Sequence, residues 1–367
     1  MIHWECVECE YRLDAAERPL RCPLCDALAE NISEIHPVEM DITDKLLLNA
    51  LQECVPLADR PFEILGNSLG LSEDETIKRI GRMKAAAIRQ ISAIFDSRSL
   101  GYRSTLVAFE FSSEAIERGA AVVSRHPGVS HNYRRNHRFN LWFTLTLPGT
   151  ESLEMVVEQL KLESGASCSI VLPTLRLYKI GVKLDATGEK SAIRKEKGSV
   201  VHGLKDALLI SPLEKTAVRV LQRDLPLVER PFQQLLQKHG EGLVQEELFA
   251  IAKGFIDRGI MRRFSAVLRH RTAGYPANAM GVWVVPEDRI EEIGCQIAEF
   301  AAVSHCYQRP SYPPDWPYNL FSMVHGHSVE ECNSILETIA AQTGLTNYAR
   351  LYSTKEYKKV RVKYFTW

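Results

Sequence analysis

Apolar residues in TDKLLLNALQ (43–52) recur at helical spacing, and from there the chain passes through helical and strand-like periods in a fixed order. An Arg-Pro-Phe step (60–62) starts a second helix, because proline suits a first helical turn. Ser72 followed by Glu75 has capping-box spacing and opens a third. A short hairpin over Arg89–Phe95 follows, then a strand 103–111, a helix 113–126, strands 129–137 and 140–147, a helix 151–164 and a strand 168–180. The same succession returns as strand 278–285, helix 287–301, strands 303–309 and 318–324, helix 328–342 and strand 346–363.

Shared residues tie the two runs together. CysValProLeuAlaAspArgProPhe (54–62) matches AspLeuProLeuValGluArgProPhe (224–232) at an offset of 170. ArgGlnIleSerAlaIle (89–94) matches ArgArgPheSerAlaVal (262–267) at 173, and Arg176-Leu177-Tyr178 matches Arg350-Leu351-Tyr352 at 174. Constant order with a slowly drifting offset means duplication or fusion of related domains. Each half reads as three helices and a hairpin, a winged helix-turn-helix, followed by β-α-β-β-α-β, which is ferredoxin-like. The predicted class is α+β. The first half spans 41–184 (helix-turn-helix 43–96, ferredoxin-like 102–184) and the second 204–367 (212–268 and 275–367), with a charged linker at 185–203. The near-constant offset predicts an internal pseudo-dimer packed through the two sheets, and further homodimerisation stays open.

One strand of each half has the wrong polarity for a core. SHNYRRNHRFNLWF (130–143) and SHCYQRPSYPPDWPYNLF (304–321) both hold His-x-Tyr-x-Arg: His131, Tyr133 and Arg135, then His305, Tyr307 and Arg309. Alternate residues of a strand share a face. A face of His, Tyr and Arg, present twice, suits a large, flat, anionic ligand, although a solvated polar sheet face accounts for the pattern equally well. His137 shares the parity of the first set.

Composition changes this picture little. A content of 45% hydrophobic and 25% charged residues is ordinary for soluble globular protein. A net charge of −1 gives no global drive toward nucleic acid or an anionic membrane. No apolar run is long enough to span a bilayer and the N-terminus lacks a signal pattern, so a cytoplasmic protein is expected. The nine cysteines divide unevenly. Cys54, Cys168, Cys295, Cys306 and Cys332 are scattered, whereas Cys6, Cys9, Cys22 and Cys25 form two Cys-x-x-Cys steps. Four such thiolates can close a tetrahedral site for zinc or iron. The segment WECVECEYRLD…RCPLCDA resembles the rubredoxin-like module at the end of rubrerythrins, making 1–36 a small four-cysteine metal knuckle. Glu10 and Asp26 stand where such knuckles usually carry glycine, which leaves the metal open.

Helix-turn-helix followed by a ferredoxin-like domain resembles the Lrp/AsnC transcription regulators, and LSEDETIKRIGRMKAAAIRQISAIFD (71–96) is similar to their recognition helix. That helix begins Glu73-Asp74-Glu75, and the second copy offers Glu241, Glu246 and Glu247 against one Lys. Carboxylates there suit the helix dipole and repel phosphate, so these ends are expected to be solvated and nucleic acid is not the expected partner. A DNA-binding regulator responding to heme or another small ligand is the alternative reading.

H-N-Y-x-R-x-H-x-F-N-x-W-F-T in the first half resembles the signature of the siroheme decarboxylases. S-H-C-Y-x-R-P…W-P-Y-N-L and the tail Y-S-T-K-E-Y-K-K-V-R-V-K-Y-F are similar to the other subunit of that two-subunit enzyme. The resemblance covers about 40–367 and implies the two subunits fused in one chain. It implies a carboxy-lyase that removes CO2 from two acetates of siroheme to give 12,18-didecarboxysiroheme, in alternative heme or denitrification heme synthesis. The bound group would be an iron tetrapyrrole: siroheme as substrate, didecarboxysiroheme or heme as product. Such a ligand needs fixed cations, for which Arg135 and Arg309 suit bidentate carboxylate binding. It also needs a proton donor, for which His131, His137, His305 and Tyr307 are candidates. Tyr133, Asn140, Trp142, Trp316, Tyr318, Asn319 and His325 are expected around it, and the basic tail (Lys355, Lys358, Lys359, Arg361, Lys363) either forms a rim or is a solvated last strand.

Overall fold

The computed structural model describes residues 2–6, 12–22, 28–35, 39–180, 208–268 and 277–366. At the N-terminus β1 (Ile2–Cys6), β2 (Arg12–Ala15) and β3 (Ile32–Ile35) form a small antiparallel sheet in the order β2-β1-β3. Cys9 and Cys25 lie outside the described residues, as does the side chain of Cys6, while Cys22 is buried. The predicted linker at 185–203 also lies outside them.

The first half runs α1 (Ile42–Glu53), α2 (Pro61–Ser68), α3 (Glu73–Ala86), β4 (Ile88–Phe95), β5 (Tyr102–Glu110), α4 (Ile116–Arg125), β6 (Val129–Arg135), β7 (Leu141–Pro148), α5 (Leu153–Ser164), β8 (Cys168–Pro173) and β9 (Arg176–Ile180). The second runs α6 (Pro212–Leu221), α7 (Pro231–His239), α8 (Gln245–Asp257), β10 (Met261–Leu268), β11 (Ala277–Trp283), α9 (Ile290–Ala298), β12 (Val303–Gln308), β13 (Leu320–Gly326), α10 (Val329–Thr343) and β14 (Tyr348–Lys359). Local signals place the helix starts. Asp41 and Asp44 form a capping box on α1, Ser211 and Glu214 one on α6, and Ser72 caps α3 by accepting from Glu75 N.

Several sequence expectations change once long-range pairing is seen. Arg89–Phe95 is no hairpin: β4 is one strand, and it pairs antiparallel with β10 of the other half, Ser92 opposite Ser265. Val55 N–H donates to Phe264 O and Leu225 N–H to Ile91 O, both at 2.8 Å, so each half's helix-linking loop is stitched to the other half's strand. One apolar core joins both helical regions, with Leu47, Phe62, Leu221, Phe232 and Phe264 all buried in it.

The strand expected over 168–180 is also two. β8 pairs with β5 of its own half, then the chain breaks after Pro173 and β9 pairs with β12 of the other half. β14 does the same without a break, pairing first with β11 and then with β6. The result is a nine-stranded sheet, β8-β5-β7-β6-β14-β11-β13-β12-β9, in which each half lends its last strand to the other. The helices α4, α5, α9 and α10 cover the outer faces. Between the inner faces, Ala108, Trp142 and Leu172 of one half pack with Met280, Val282 and Phe321 of the other.

The cross-pairing corrects the repeat itself. His131 stands opposite Lys359 and Tyr133 opposite Glu356, whereas His305 stands opposite Ile180 and Tyr307 opposite Leu177. Leu177 therefore corresponds to Glu356 and Ile180 to Lys359, an offset of 179 rather than the 174 read from Arg-Leu-Tyr. Side chains agree: Tyr178 Oη donates to Ile290 O and Glu291, and Tyr357 Oη donates to Glu117. The cause is a turn. Arg135 N–H donates to Asn140 O and Arg309 N–H to Asn319 O, and the second of these turns, rich in proline, is five residues longer.

The acidic start of α3 is not wholly solvated as expected, because Glu73 is buried and ion-paired with Arg60. Cations further along α3 are engaged too: Arg79 with Asp41 and Asp44, both at 2.8 Å, and Lys84 with Asp224 at 2.7 Å. Among the described residues no helix is long and apolar enough to cross a membrane.

Candidate functional site

A cavity of about 790 Å³ lies between the inner faces of the two halves, within the ~300–1,000 Å³ usual for ligand pockets. Both His-Tyr-Arg sets line it: His131, Tyr133 and Arg135 from β6, and His305, Tyr307 and Arg309 from β12 and its end. Strand alternation carries these side chains inward, and the exchange of last strands brings the two faces onto one space. His131 and Tyr133 centroids are 6.2 Å apart and those of His305 and Tyr307 6.0 Å, with the Arg135 and Arg309 guanidinium carbons 5.8 and 4.9 Å from the respective tyrosine rings.

The arginines are held by backbone across the pseudo-dimer. Arg135 Nη1 donates to Leu351 O at 3.0 Å, and Arg309 Nη1 donates to Leu172 O. Among the described residues neither has a carboxylate partner, and the Nε of each is buried without an acceptor. Burial lowers both to about 10, so both stay charged at neutral pH. Two buried, partly unsatisfied guanidinium groups on one cavity have the chemistry to bind anions.

The histidines differ. His305 Nδ1 and His325 Nε2 both share hydrogen bonds with Ser304 Oγ at 2.8 Å. Burial first, then the neighbouring His325 and the cations Arg262, Arg309 and Lys179, bring His305 down to about 4. Burial and Lys359 bring His325 to about 4, so both are neutral at pH 7. His131 shares a hydrogen bond with Ser130 Oγ at 3.0 Å. At the position corresponding to His325 the first half has Thr146, bonded to Ser104 Oγ at 2.9 Å. Burial raises Tyr307 and keeps its phenol protonated.

Other expected site residues stand elsewhere. His137 is in the turn after β6, off the cavity wall, its Nδ1 accepting from Phe139 N–H and its ring 5.2 Å from Trp316. Trp142 lines the cavity, with its indole N–H donated to Phe139 O at 2.6 Å. Trp316 is fully buried behind it against Trp142, Phe139 and Tyr318. Asn140 clasps Phe111 through N–H and C=O at 3.0 and 2.8 Å, and Asn319 clasps Val285 at 2.9 and 2.8 Å. Both clamps hold strand ends. In the basic tail only Lys359 reaches the cavity, since Lys355 pairs with Glu117 and Lys358 donates to Ser124 O and His126 O.

Sequence reasoning missed Arg262, Arg98, Asp96 and Glu356, which also line the cavity. Arg262 is the extra residue of a bulge in β10 and pairs with Asp96 at 2.8 Å. Burial pushes the Asp96 carboxyl up, but Arg262 and the Ser99 contacts outweigh it and hold the group below the usual carboxylate range. A bulge re-aims a side chain with no sequence signal of its own. Among the described residues five cations (Arg98, Arg135, Arg262, Arg309, Lys359) and two carboxylates (Asp96, Glu356) line the cavity.

Comparison with known proteins follows the same outline. Residues 99–179 and 272–358 match the AsnC-like ligand binding domain, and residues 44–88 match the siroheme decarboxylase NirDL-like HTH domain. The siroheme decarboxylase of Hydrogenobacter thermophilus is 44% identical over 322 residues, 87% of this chain and 94% of that protein. A siroheme decarboxylase beta subunit from Methanosarcina barkeri, a separate chain, is 40% identical over 154 residues, covering 41% of this chain and 99% of the subunit. The crystal structure of the siroheme decarboxylase NirDL in co-complex with an iron-uroporphyrin III analogue superposes with a TM-score of 0.67 at 38% identity, over 88% of this chain and 94% of that one.

Proposed function

This chain belongs to the siroheme decarboxylase family, with both subunit types in one polypeptide, and we propose that it removes CO2 from two acetate side chains of siroheme in the cavity between its halves, giving 12,18-didecarboxysiroheme. The observation that carries this reading is the pair of buried arginines, Arg135 and Arg309, facing one cavity with no carboxylate among the described residues to neutralise them. An iron tetrapyrrole ringed by carboxylates supplies what they lack. The aromatic and apolar surfaces of Trp142, Phe143, Met280 and Phe321 offer a floor for its faces.

In the proposed reaction Arg135 and Arg309 hold peripheral carboxylates and fix the macrocycle. The bond between the acetate methylene and its carboxylate breaks, and the electron pair stays on the methylene carbon, in conjugation with the ring. CO2 leaves, and a proton delivered to that carbon completes a methyl group. We assign the proton to His131. His137 is turned away against Trp316, and burial keeps His305 neutral at pH 7. Tyr133 and Tyr307 steer the arginines and flank the ligand. For the N-terminal module the spacing of Cys6, Cys9, Cys22 and Cys25 supports one tetrahedral zinc or iron, separable from the decarboxylation.

The alternative, a DNA-binding regulator, is disfavoured by α3, whose Arg79 and Lys84 are engaged in ion pairs within the protein. Anaerobic incubation with siroheme tests the choice. Two successive losses of CO2 in the product mass are expected, and siroheme recovered unchanged would overturn the enzymatic reading.

A further inference from the structure

The cavity is built from two copies of one motif, yet its walls are not equivalent. Behind the first His-Tyr-Arg face, β14 presents Glu356 opposite Tyr133 and Lys359 opposite His131. Behind the second, β9 presents Leu177 opposite Tyr307 and Ile180 opposite His305. All four side chains line the cavity. Each pair is three residues apart and still shares a face, because a bulge falls between its members in both strands, at Tyr357 and at Tyr178. The geometry is thus conserved between the halves while the chemistry is exchanged, a charged pair for an aliphatic one.

That exchange bears on a problem the duplication creates. A ligand held only by two equivalent His-Tyr-Arg sets could enter in two orientations related by the pseudo-two-fold axis. Siroheme is not two-fold symmetric, since two adjacent rings are reduced and carry added methyl groups and its acetates and propionates do not alternate regularly around the macrocycle. Reaction at two particular acetates requires one orientation, and something in the cavity must break the symmetry. A carboxylate directed at Leu177 and Ile180 loses water and finds no partner, whereas the added methyl groups of the reduced rings gain by contact with them. On the opposite wall Lys359 attracts a carboxylate, and Glu356, with no ion pair of its own among the described residues, repels one from the adjoining position.

We propose that Glu356 and Lys359 on one wall, and Leu177 and Ile180 on the other, are specificity-determining residues that fix which way round the tetrapyrrole lies. The two reduced, methyl-bearing rings lie on the Leu177 and Ile180 side with their own carboxylates directed away from it, and a carboxylate of the opposite rings meets Lys359. This inference rests on the cavity being the siroheme site.

The test symmetrises the walls. E356L/K359I gives both faces an aliphatic backing with no change in net charge, so altered selectivity cannot be ascribed to total charge. The full-length protein and the variant are incubated anaerobically with siroheme, and products are resolved by mass and by NMR of the new methyl groups. The native protein should give one doubly decarboxylated isomer. The variant should give mixed isomers, with at least a tenth of the CO2 lost from other acetates. The same single isomer from the variant at the native rate would overturn the proposal. Should E356L/K359I fail to fold, E356Q decides: it should tighten siroheme binding by removing a repulsive charge while admitting a second isomer, and a single isomer at native affinity counts against the idea. No turnover by the native protein would instead refute the siroheme reading itself, so the two failures are told apart.

Discussion

His131, Tyr133 and Arg135 look across their ladder at Glu356 and Lys359, whereas His305, Tyr307 and Arg309 look at Leu177 and Ile180. The second face also has His325 bridged to His305 through Ser304, where the first has Thr146 bonded to Ser104. Three identical side chains on the same strand of the same fold thus sit in different media. On the second face burial and a second imidazole take His305 to about 4, and on the first a lysine and a carboxylate stand opposite the pair. Duplication supplied two like faces, and divergence of the strands behind them gave the two different surroundings. The arginines show where the halves stayed alike: each reaches across to a backbone carbonyl of the other half, and each is at about 10.

If the division of labour is real, the two histidines must not be interchangeable. His131→Ala should slow single-turnover decarboxylation by about 10²–10⁴-fold with siroheme affinity largely kept, the effect of losing a positioned proton donor. His305→Ala should cost far less in rate and alter affinity instead. Equal rate losses in the two variants would erase the distinction, and full turnover by His131→Ala would move the donor to the second half.

The arginines should behave as a matched pair. Arg135→Ala and Arg309→Ala each lose a charge-assisted carboxylate contact worth on the order of 1.5–3 kcal/mol, so each should weaken siroheme binding by roughly ten- to a hundredfold. Titration of the two variants side by side checks this. A loss confined to one of them would mean that the ligand leans on one half only.

Much of this asymmetry was beyond the reach of the sequence. Periodicity was enough to locate the helices, the duplication and the inward parity of His131, Tyr133, Arg135 and their counterparts, because those are local properties. Pairing partners are not local. A strand that crosses to the other half has the same alternation as one that stays, so Arg89–Phe95 read as a hairpin closed on itself, 168–180 as one strand where there are two, and β14 as a strand with its partners unknown. The Arg-Leu-Tyr match then misled, since the longer proline-rich turn before Asn319 had already shifted the true register by five residues. His137 looked inward by parity, but β6 ends at Arg135 and the turn swings the imidazole onto Trp316. The repeated Asn-Leu step was visible, and its meaning, a clamp rather than a ligand contact, needed the coordinates.

The His305–Ser304–His325 cluster should make the second half acid-sensitive. Ordinary histidines protonate near 6.5 and these near about 4, so between those values the unfolded chain binds more protons than the folded one. Stability from this cluster is present above about 6.5 and is lost as pH falls toward about 4. Replacing His325 by threonine, the residue of the first half, should remove part of that dependence. Urea unfolding at pH 7 and pH 4.5 should show the native protein losing ~1–2 kcal/mol more than His325→Thr on acidification. Identical losses would mean that the cluster opens to solvent in acid and that the contrast with Thr146 has no energetic content.

The smallest effect expected is the most symmetric. Asn140 and Asn319 each exchange two hydrogen bonds with one backbone residue, Phe111 and Val285, at distances between 2.8 and 3.0 Å. Neither side chain lines the cavity, and both tie the start of a central strand to the end of its neighbour. Alanine at either position leaves a partly buried N–H and C=O to find water, a loss of about 1–2 kcal/mol. The two losses should agree within about 0.5 kcal/mol, because the clamps are geometric copies and lie far enough apart to act independently. Siroheme affinity should be unchanged in both, apart from the lower stability of the protein. A variant that unfolds normally in urea yet no longer binds siroheme would return its asparagine to the ligand site, and unequal losses would show that the divergence of the two halves extends beyond the walls of the cavity into the frame that holds them.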